Sequence, residues 1–248
     1  MGSLIESGSI RKRGGFFLPD GSRGKEVSCK MCFLDENYLQ DILELQNLIA
    51  RNLSTPEIFR LHEAGYFRDL FGLDRAVIGV LTEDGLIAYS IIRFPGDAED
   101  NLGRDIGLSE GEQLKVAHLQ AAVVHPAYRG NGLQRRMAAA HLRVIEDLGY
   151  EHVFCTVSPK NPVSLCNVFS CGFVIAGLQP KFEGWWRYIM YKNISFSRNL
   201  ETRDAKEVIA IMGLDIQAQV DLLKLGFVGF KMALLPEGFE VFYGRFQC

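Results

Sequence analysis

The chain has 248 residues, 48% of them hydrophobic and 23% charged, enough apolar material for one large domain or a domain with an appendage. A formal net charge of −3 argues against nucleic acid as a partner, since such binders normally carry a basic surplus. No run of about 18 apolar residues is present, so no membrane span is expected. The start, Met1-Gly-Ser-Leu-Ile-Glu, lacks both the apolar core of a signal peptide and the Ser or Thr of a myristoylation site, which leaves the cytoplasm as the default location.

Residues 1–26 carry Gly-Gly, Pro-Asp-Gly and scattered Arg and Lys, and read as a mobile or loosely packed lead-in. A first strand is expected over 27–33. It contains Cys29 and Cys32, whose spacing on a strand puts them on opposite faces, with no second pair or nearby histidine to complete a zinc set. They are read as core filler, and Cys155, Cys166, Cys171 and Cys248 as reduced thiols. A helix follows from Asp35 or Asn37, with Leu39, Ile42, Leu43, Leu45, Leu48 and Ile49 forming its apolar stripe. Thr55-Pro56-Glu57 reads as the capped start of another helix through Ile58, Phe59 and Leu61. Two strands, Arg75–Thr82 and Leu86–Arg93, flank the turn Glu83-Asp84-Gly85 as a hairpin.

Between Pro95 and Gln113 lie Asp97, Glu99, Asp100, Asp105, Glu110 and Glu112, with Arg104 as counter-charge. This stretch is either a solvated loop or an acidic rim that attracts a cationic amine. A β-rich run from His118 to Pro126 then turns through Ala127–Leu133 into a helical pattern from Gln134 to Leu148, followed by strand 152–157, Ser158–Pro162, a short helix and Gly172-Phe173. Backbone N–H groups at the start of a helix have no intrahelical partner and its dipole favours negative charge, so a phosphate can sit there. Gly130 and Gly132 let backbone approach the anion, and Arg129, Arg135 and Arg136 add positive charge. Glycine and asparagine also occur in ordinary surface turns, and neither the P-loop nor the G-x-G-x-x-G spacing is present.

What is present is Val124-His-Pro-Ala-Tyr-Arg129-Gly-Asn-Gly132, then Asn161-Pro-Val-Ser164 and Gly172-Phe173. Together these resemble the GNAT superfamily of acyl-CoA-dependent N-acetyltransferases, over roughly residues 27–193. The family's phosphate-loop pattern, Arg/Gln-x-x-Gly-x-Gly/Ala, reads here Arg129-x-x-Gly132-x-Gln134, with Gln134 in place of the last small residue. The resemblance implies an α/β (α+β) fold, a mixed, mostly antiparallel sheet flanked by helices. It implies acetyl-CoA as cofactor, held by the main chain of Ala122, Val123 and Val124, by Arg129, Gly130, Asn131, Gly132, Leu133, Gln134 and Arg135, and by Asn161 and Ser164. Asn161 equally suits a helix cap before Pro162.

Acyl transfer to an amine needs a base to take the amine's proton, donors for the developing oxyanion and a proton for the departing thiolate. His118 and Gln120 alternate along one strand and so share a face. The resemblance places them where relatives often carry a catalytic Glu or His, and His118 is the favoured base, with a hydrogen-bonded core histidine as the other reading. Gln120 is no base but can position water or substrate. Many relatives have a tyrosine acid four residues before the Gly-Phe pair; this chain has Val168, leaving Cys166, Cys171, Tyr188, Tyr191 or water.

A closing hairpin is expected from Val174 through Lys181–Tyr191, with Trp185, Trp186 and Tyr188 either in the core or walling a pocket. The tail echoes this segment: Asp221-Leu-Leu-Lys-Leu-Gly226-Phe followed by Glu237-Gly238-Phe239 parallels Asn167-Val-Phe-Ser-Cys-Gly172-Phe followed by Glu183-Gly184-Trp185. A short helix near 204–212 and then a helix and hairpin over 215–247 are expected, either extending the sheet edge or packing in a homodimer. The organisation is thus a lead-in (1–26), an acetyltransferase domain (27–193) and a helix–hairpin extension (194–248). The function expected is acetyl transfer from acetyl-CoA to a primary amine of a small molecule or peptide. A non-catalytic acyl-CoA-binding protein is the competing class, and a nucleotide-binding domain of another kind the third.

Overall fold

The computed structural model describes residues 3–13, 24–53, 55–195 and 205–246. Strands β1 (Leu4–Lys12) and β2 (Lys25–Phe33) come first, then helices α1 (Leu39–Arg51) and α2 (Ala64–Phe71) and strands β3 (Val77–Thr82) and β4 (Gly85–Arg93). The short helix α3 (Glu110–Gln113), strand β5 (Val116–Val124), helix α4 (Leu133–Asp147) and strand β6 (His152–Val157) follow. The chain ends with α5 (Pro162–Ser170), β7 (Val174–Lys181), β8 (Trp185–Asn193), β9 (Ala205–Met212), α6 (Ile216–Lys224), β10 (Val228–Leu235) and β11 (Gly238–Phe246). The pairing is mostly antiparallel, and the fold is mixed α/β. Two compact units form, Met1–Arg93 with Leu119–Val144, and Phe94–His118 with Ile145–Cys248.

In the first unit β1 pairs with β2, β2 with β3 and β3 with β4, all antiparallel. The β3–β4 hairpin turns through Glu83-Asp84 onto Gly85, whose φ of 88° suits glycine. Helix α1 buries Ile42, Leu45 and Ile49, one stripe of its surface, and packs against β4. The core joins Met31, Ile78, Val80 and Ala88 from the strands to Leu133, Met137 and Ala140, which recur at helical spacing along α4.

Two expectations are corrected in this unit. The lead-in contains an ordered strand, because β1 finds a full antiparallel partner in β2 from Lys12↔Lys25 to Leu4↔Cys32. No helix starts at Thr55. Its side chain makes no cap bond, and a single 3-10 turn at Pro56–Ile58 gives way to extended backbone at Phe59. The cause is a clamp from α1: the Gln46 side-chain amide donates to the His62 carbonyl (2.7 Å) and accepts from the His62 amide (3.2 Å). With both backbone groups taken like a strand's, helix starts only at Ala64.

In the second unit the first residues of β5, Val116 to His118, run parallel to β6 at His152–Phe154. From there the order is β6-β8-β7-β10-β11-β9. The segment near 204–212 is therefore a strand, β9, and not the expected helix; its β-branched Val208, Ile209 and Ile211 suit a strand, and it pairs with β11 from Ala205↔Phe246 to Met212↔Glu240. The tail extends the sheet at the β7 edge.

The echo read in the sequence is a structural repeat. Strand, capped helix and bulged hairpin occur as β6-α5-β7-β8 and again as β9-α6-β10-β11. The same interval separates Asn161 from Asp215, the side-chain caps of α5 and α6. It also separates Gly172 (φ 81°) from Gly226 (φ 81°), which end those helices. It separates the bulge at Ile175/Gly177 from that at Gly229/Lys231. The copies meet where β7 pairs with β10 at Ile175↔Gly229, each residue opposite its own counterpart, so a local pseudo-twofold axis passes through that pair. Accordingly α6 packs on β7 and α5 on β10. The joint is tied by Gln219, fully buried, whose side-chain oxygen accepts from the Tyr188 hydroxyl of one copy and the Tyr243 hydroxyl of the other, both at 2.8 Å.

Gln219→Leu leaves two buried phenol groups without this acceptor, and should cost about 2–4 kcal/mol. Urea unfolding checks it: a lowered midpoint at unchanged slope is expected, and an unchanged midpoint contradicts the tie. In the first unit, burial lowers the pKa of His141 and of His62 from 6.5 to about 4. The unfolded chain takes up protons where the fold does not, so stability should fall as pH drops from about 6.5 towards 4. His141→Leu should flatten that dependence by up to about 3 kcal/mol, read from denaturation midpoints across this window.

Candidate active site

Strand β5 carries the residues expected to do chemistry. His118 is buried, 2% exposed, edge-on to Phe154. Its Nε2 accepts a hydrogen bond from the Leu102 amide at 3.1 Å. That bond occupies the Nε2 lone pair and assigns the proton of the neutral ring to Nδ1, so in this arrangement the imidazole has no lone pair for an amine's proton. The loop that delivers Leu102 is itself pinned by Asn101, whose side chain donates to the carbonyls of Gly96 (2.6 Å) and Gln113 (3.0 Å) and accepts from the Gly103 amide (2.9 Å). The acidic stretch is thus an ordered loop over His118. Two of its carboxylates have internal work, Asp105 paired with Lys181 (2.6 Å) and Glu112 closing a capping box with Ser109.

Further along β5, Ala121 has φ 41°, a backbone conformation rarely held by a non-glycine residue. Such outliers concentrate where the backbone is bent for a purpose. Just before it, Gln120 accepts from the Tyr66 hydroxyl, and Tyr66 stacks on His62 at 4.3 Å. Just after it, Ala122 is exposed, Val123 is buried and Val124 half-buried.

The glycine turn is built from several directions. Tyr128 is buried beneath it and its hydroxyl donates to Asp84, which also pairs with Lys12 of β1 (2.7 Å). Those two partners hold the Asp84 pKa below the ordinary carboxylate value, Lys12 first and Tyr128 second. Asn131 accepts from the Arg11 amide (2.9 Å) and donates to the carbonyls of Arg11 (2.8 Å) and Tyr128 (2.9 Å). The Arg13 amide donates to Ala127 (2.7 Å), and Arg136 pairs with Glu6 (2.8 Å). Strand β1 therefore lies along the turn and fixes it.

Gly130 (φ 82°) and Gly132 (φ 68°) are both left-handed, and α4 begins at Leu133. The Arg136 amide donates to the Gly132 carbonyl (3.0 Å), and Leu133, Gln134 and Arg135 form the leading turn of the helix, whose amides point towards its N-terminal end. The Arg135 guanidinium lies 3.5 Å from where a Gly132 Cβ would stand. Left-handed glycines, leading amides and arginines are the donor set a diphosphate needs, and the turn fits one. Arg129 is exposed, its Nε donating to the Val124 carbonyl at 3.4 Å. The Asn131 side chain is spent on the protein itself, so this residue meets a ligand only through its backbone.

In the second unit Asn161 caps α5, its side chain accepting from the Ser164 amide at 3.0 Å. Among the acid candidates, Tyr188 is buried and bonded to Gln219, and Tyr191 lies 3.0 Å from His152 Nδ1; burial raises both pKa values. Cys155 is also buried and its thiol pKa is raised by burial, whereas Cys166 is exposed and Cys171 intermediate. Trp186 is 41% exposed and Trp185 half-buried beneath the Arg187 guanidinium. Among the described residues, no group of three or more His, Cys, Asp or Glu is placed to hold a metal ion, and no helix is long and apolar enough to cross a membrane.

Comparison with known proteins gives the lineage of this arrangement. The model of the acetyltransferase (GNAT) family matches residues 39–173, more than half of the chain. The chain belongs to the GNAT acetyltransferase family. Among curated proteins, none matches it by sequence. Similar folds occur in yncA of Salmonella typhimurium, solved with its cofactor acetyl-CoA (16% identity, 70% of this chain and 98% of that one, TM-score 0.53). The N-acetyltransferase of Staphylococcus aureus Mu50 is also similar (12%, 66% and 96%, TM-score 0.51). So is the ribosomal-protein-alanine N-acetyltransferase of Brucella melitensis (16%, 66% and 99%, TM-score 0.50). At such identities the likeness is one of fold. The family match ends at Phe173, so the second strand–helix–hairpin copy lies beyond it.

Asn131→Ala should loosen β1 at Arg11 from the turn at the cost of about 1–2 kcal/mol. Hydrogen exchange at the Arg11 amide checks this: faster exchange is expected there while the α4 interior keeps its protection, and unchanged exchange removes Asn131 as the anchor.

Proposed function

We propose that this GNAT protein transfers the acetyl group of acetyl-CoA directly to a primary amine. The observation that carries the reading is the left-handed glycine turn heading α4, held rigid by β1, Asp84 and Tyr128, on a chain of the acetyltransferase family. The amides of Leu133, Gln134 and Arg135, with Arg129 and Arg135, are the groups we assign to the diphosphate. Main chain from Ala122 to Val124 is assigned to the pantetheine arm, and Asn161 and Ser164 to cofactor contacts at the start of α5. When bound, the cofactor supplies an acyl carbon activated by its thioester. The amine forms the new bond to that carbon, the carbon–sulfur bond breaks, and the proton lost by the amine balances the one the thiol gains.

For the proton's path the geometry favours a division of labour. His118, with Nε2 engaged by Leu102, is assigned to positioning: it holds the 95–113 loop against β5. Gln120 and Tyr66, bonded to each other beside the bent backbone of Ala121, are assigned to holding the amine or a water that takes its proton. The acceptor is an amine on a small molecule or a peptide.

The competing reading, an acyl-CoA-binding protein without turnover, is favoured by Val168 at the family's acid position and by the engaged His118. Thioester consumption with a panel of amines separates the two. Turnover with at least one amine is expected, and coenzyme A should raise the melting temperature where ATP and NAD do not. Binding without turnover over a broad panel supports the competing class, and stabilisation by ATP or NAD but not by coenzyme A removes both. For the histidine, His118→Asn, with an amide oxygen as substitute acceptor for Leu102, should keep the pH profile of kcat. Loss of a limb of that profile would return His118 to the role of base.

A further inference from the structure

We propose that Arg13, the residue directly after the N-terminal strand β1, completes the anion site at the glycine turn and grips the phosphate groups of coenzyme A. The proposal rests on the donor reading above and adds a residue outside the family-matched segment, which begins at residue 39.

Three observations place Arg13 there. Its backbone amide donates to the Ala127 carbonyl at 2.7 Å, fixing the residue at the entrance to the turn. Two residues earlier, the Arg11 backbone is bonded through both its N–H and its C=O to the Asn131 side chain, so the strand cannot slide along the turn. And the guanidinium of Arg13 lies over Gly130: a Cβ built there would stand 2.7 Å from Nη2 and 3.0 Å from Cζ. The missing side chain at Gly130 is what admits the guanidinium.

The two glycines of the turn thus each have a guanidinium beside them, Arg13 at Gly130 and Arg135 at Gly132. Coenzyme A carries a diphosphate and a 3′-phosphate, and a planar guanidinium donates to such oxygens in pairs. Two neighbouring cations have other work: Lys12 is paired with Asp84 and Arg136 with Glu6. The Arg13 side chain is exposed, so changing it disturbs no packed core.

Calorimetric titration of the full chain with coenzyme A, dephospho-coenzyme A and pantetheine tests this. For Arg13→Gln, the affinity for coenzyme A should fall about tenfold, or about 1.4 kcal/mol, while that for pantetheine stays unchanged. Arg13→Lys should recover part of the loss, because an ammonium keeps the charge without the fork. A larger loss for coenzyme A than for dephospho-coenzyme A places Arg13 on the 3′-phosphate, and an equal loss on the diphosphate. An unchanged affinity overturns the proposal, as does a tighter one, which would mean that the guanidinium blocks the turn. An equal loss for pantetheine also overturns it. Unaltered unfolding midpoints in both variants exclude a folding defect, and a wild-type chain that binds no coenzyme A sinks the donor reading itself.

Discussion

One side chain holds the proposed phosphate turn in shape. Asn131 bonds the N–H and the C=O of Arg11, an amide side chain acting as one more rung beside β1, and at the same time closes onto the Tyr128 carbonyl. A left-handed glycine pair has little conformational preference of its own and loses much entropy when fixed. Here the fixing comes from bonds between the turn and partners outside it. Asn131 and Arg13 tie it to β1, Tyr128 anchors it in the core, and Asp84 joins Tyr128 to Lys12. An anion site so prepared has its donors already oriented when the ligand arrives, which is the general advantage of preorganisation in binding.

The tail solves a different problem. A hairpin edge such as β7 presents unpaired backbone groups and is a template for pairing with another chain. This protein covers the edge with a second copy of the elements that made it. Because the bulge, the caps and the left-handed glycines recur at one interval, the copy approaches with the curvature of its counterpart, and the two meet face to counterpart at Ile175 and Gly229. Gly229 is glycine where its Cβ position lies 3.0 Å from the Ile175 side chain, so a larger residue would crowd the joint. Gln219 then joins a tyrosine from each copy. The pairing at this edge is internal to one chain.

Much of this was legible in the residues. The β3–β4 hairpin, α1, the turn into α4, β6 and the helix–hairpin echo all announce themselves through periodicity or glycine placement, and the motifs Arg129–Gly132, Asn161–Ser164 and Gly172-Phe173 pointed to the family. What stayed hidden depends on partners distant in sequence. β1 shows weak alternation because Ile10 alone among its residues is fully buried, and its strand character comes from β2. The extended stretch around His62 is imposed by Gln46, and β9 is imposed by β11. His118 was singled out by its type and its place on a strand, both of which are as described, but the amide that occupies its Nε2 arrives from a loop whose sequence advertised only charge. Arg13 sat in a segment read as a lead-in, and its meaning appears only once Gly130 is seen beneath it.

The most direct test of the central claim is a crystal structure of the full chain with coenzyme A. The account expects the diphosphate on the amides of Leu133, Gln134 and Arg135, with the Asn131–Arg11 bonds intact and the pantetheine arm along Ala122–Val124. Coenzyme A bound elsewhere, with those amides capped by the protein's own groups, would contradict it.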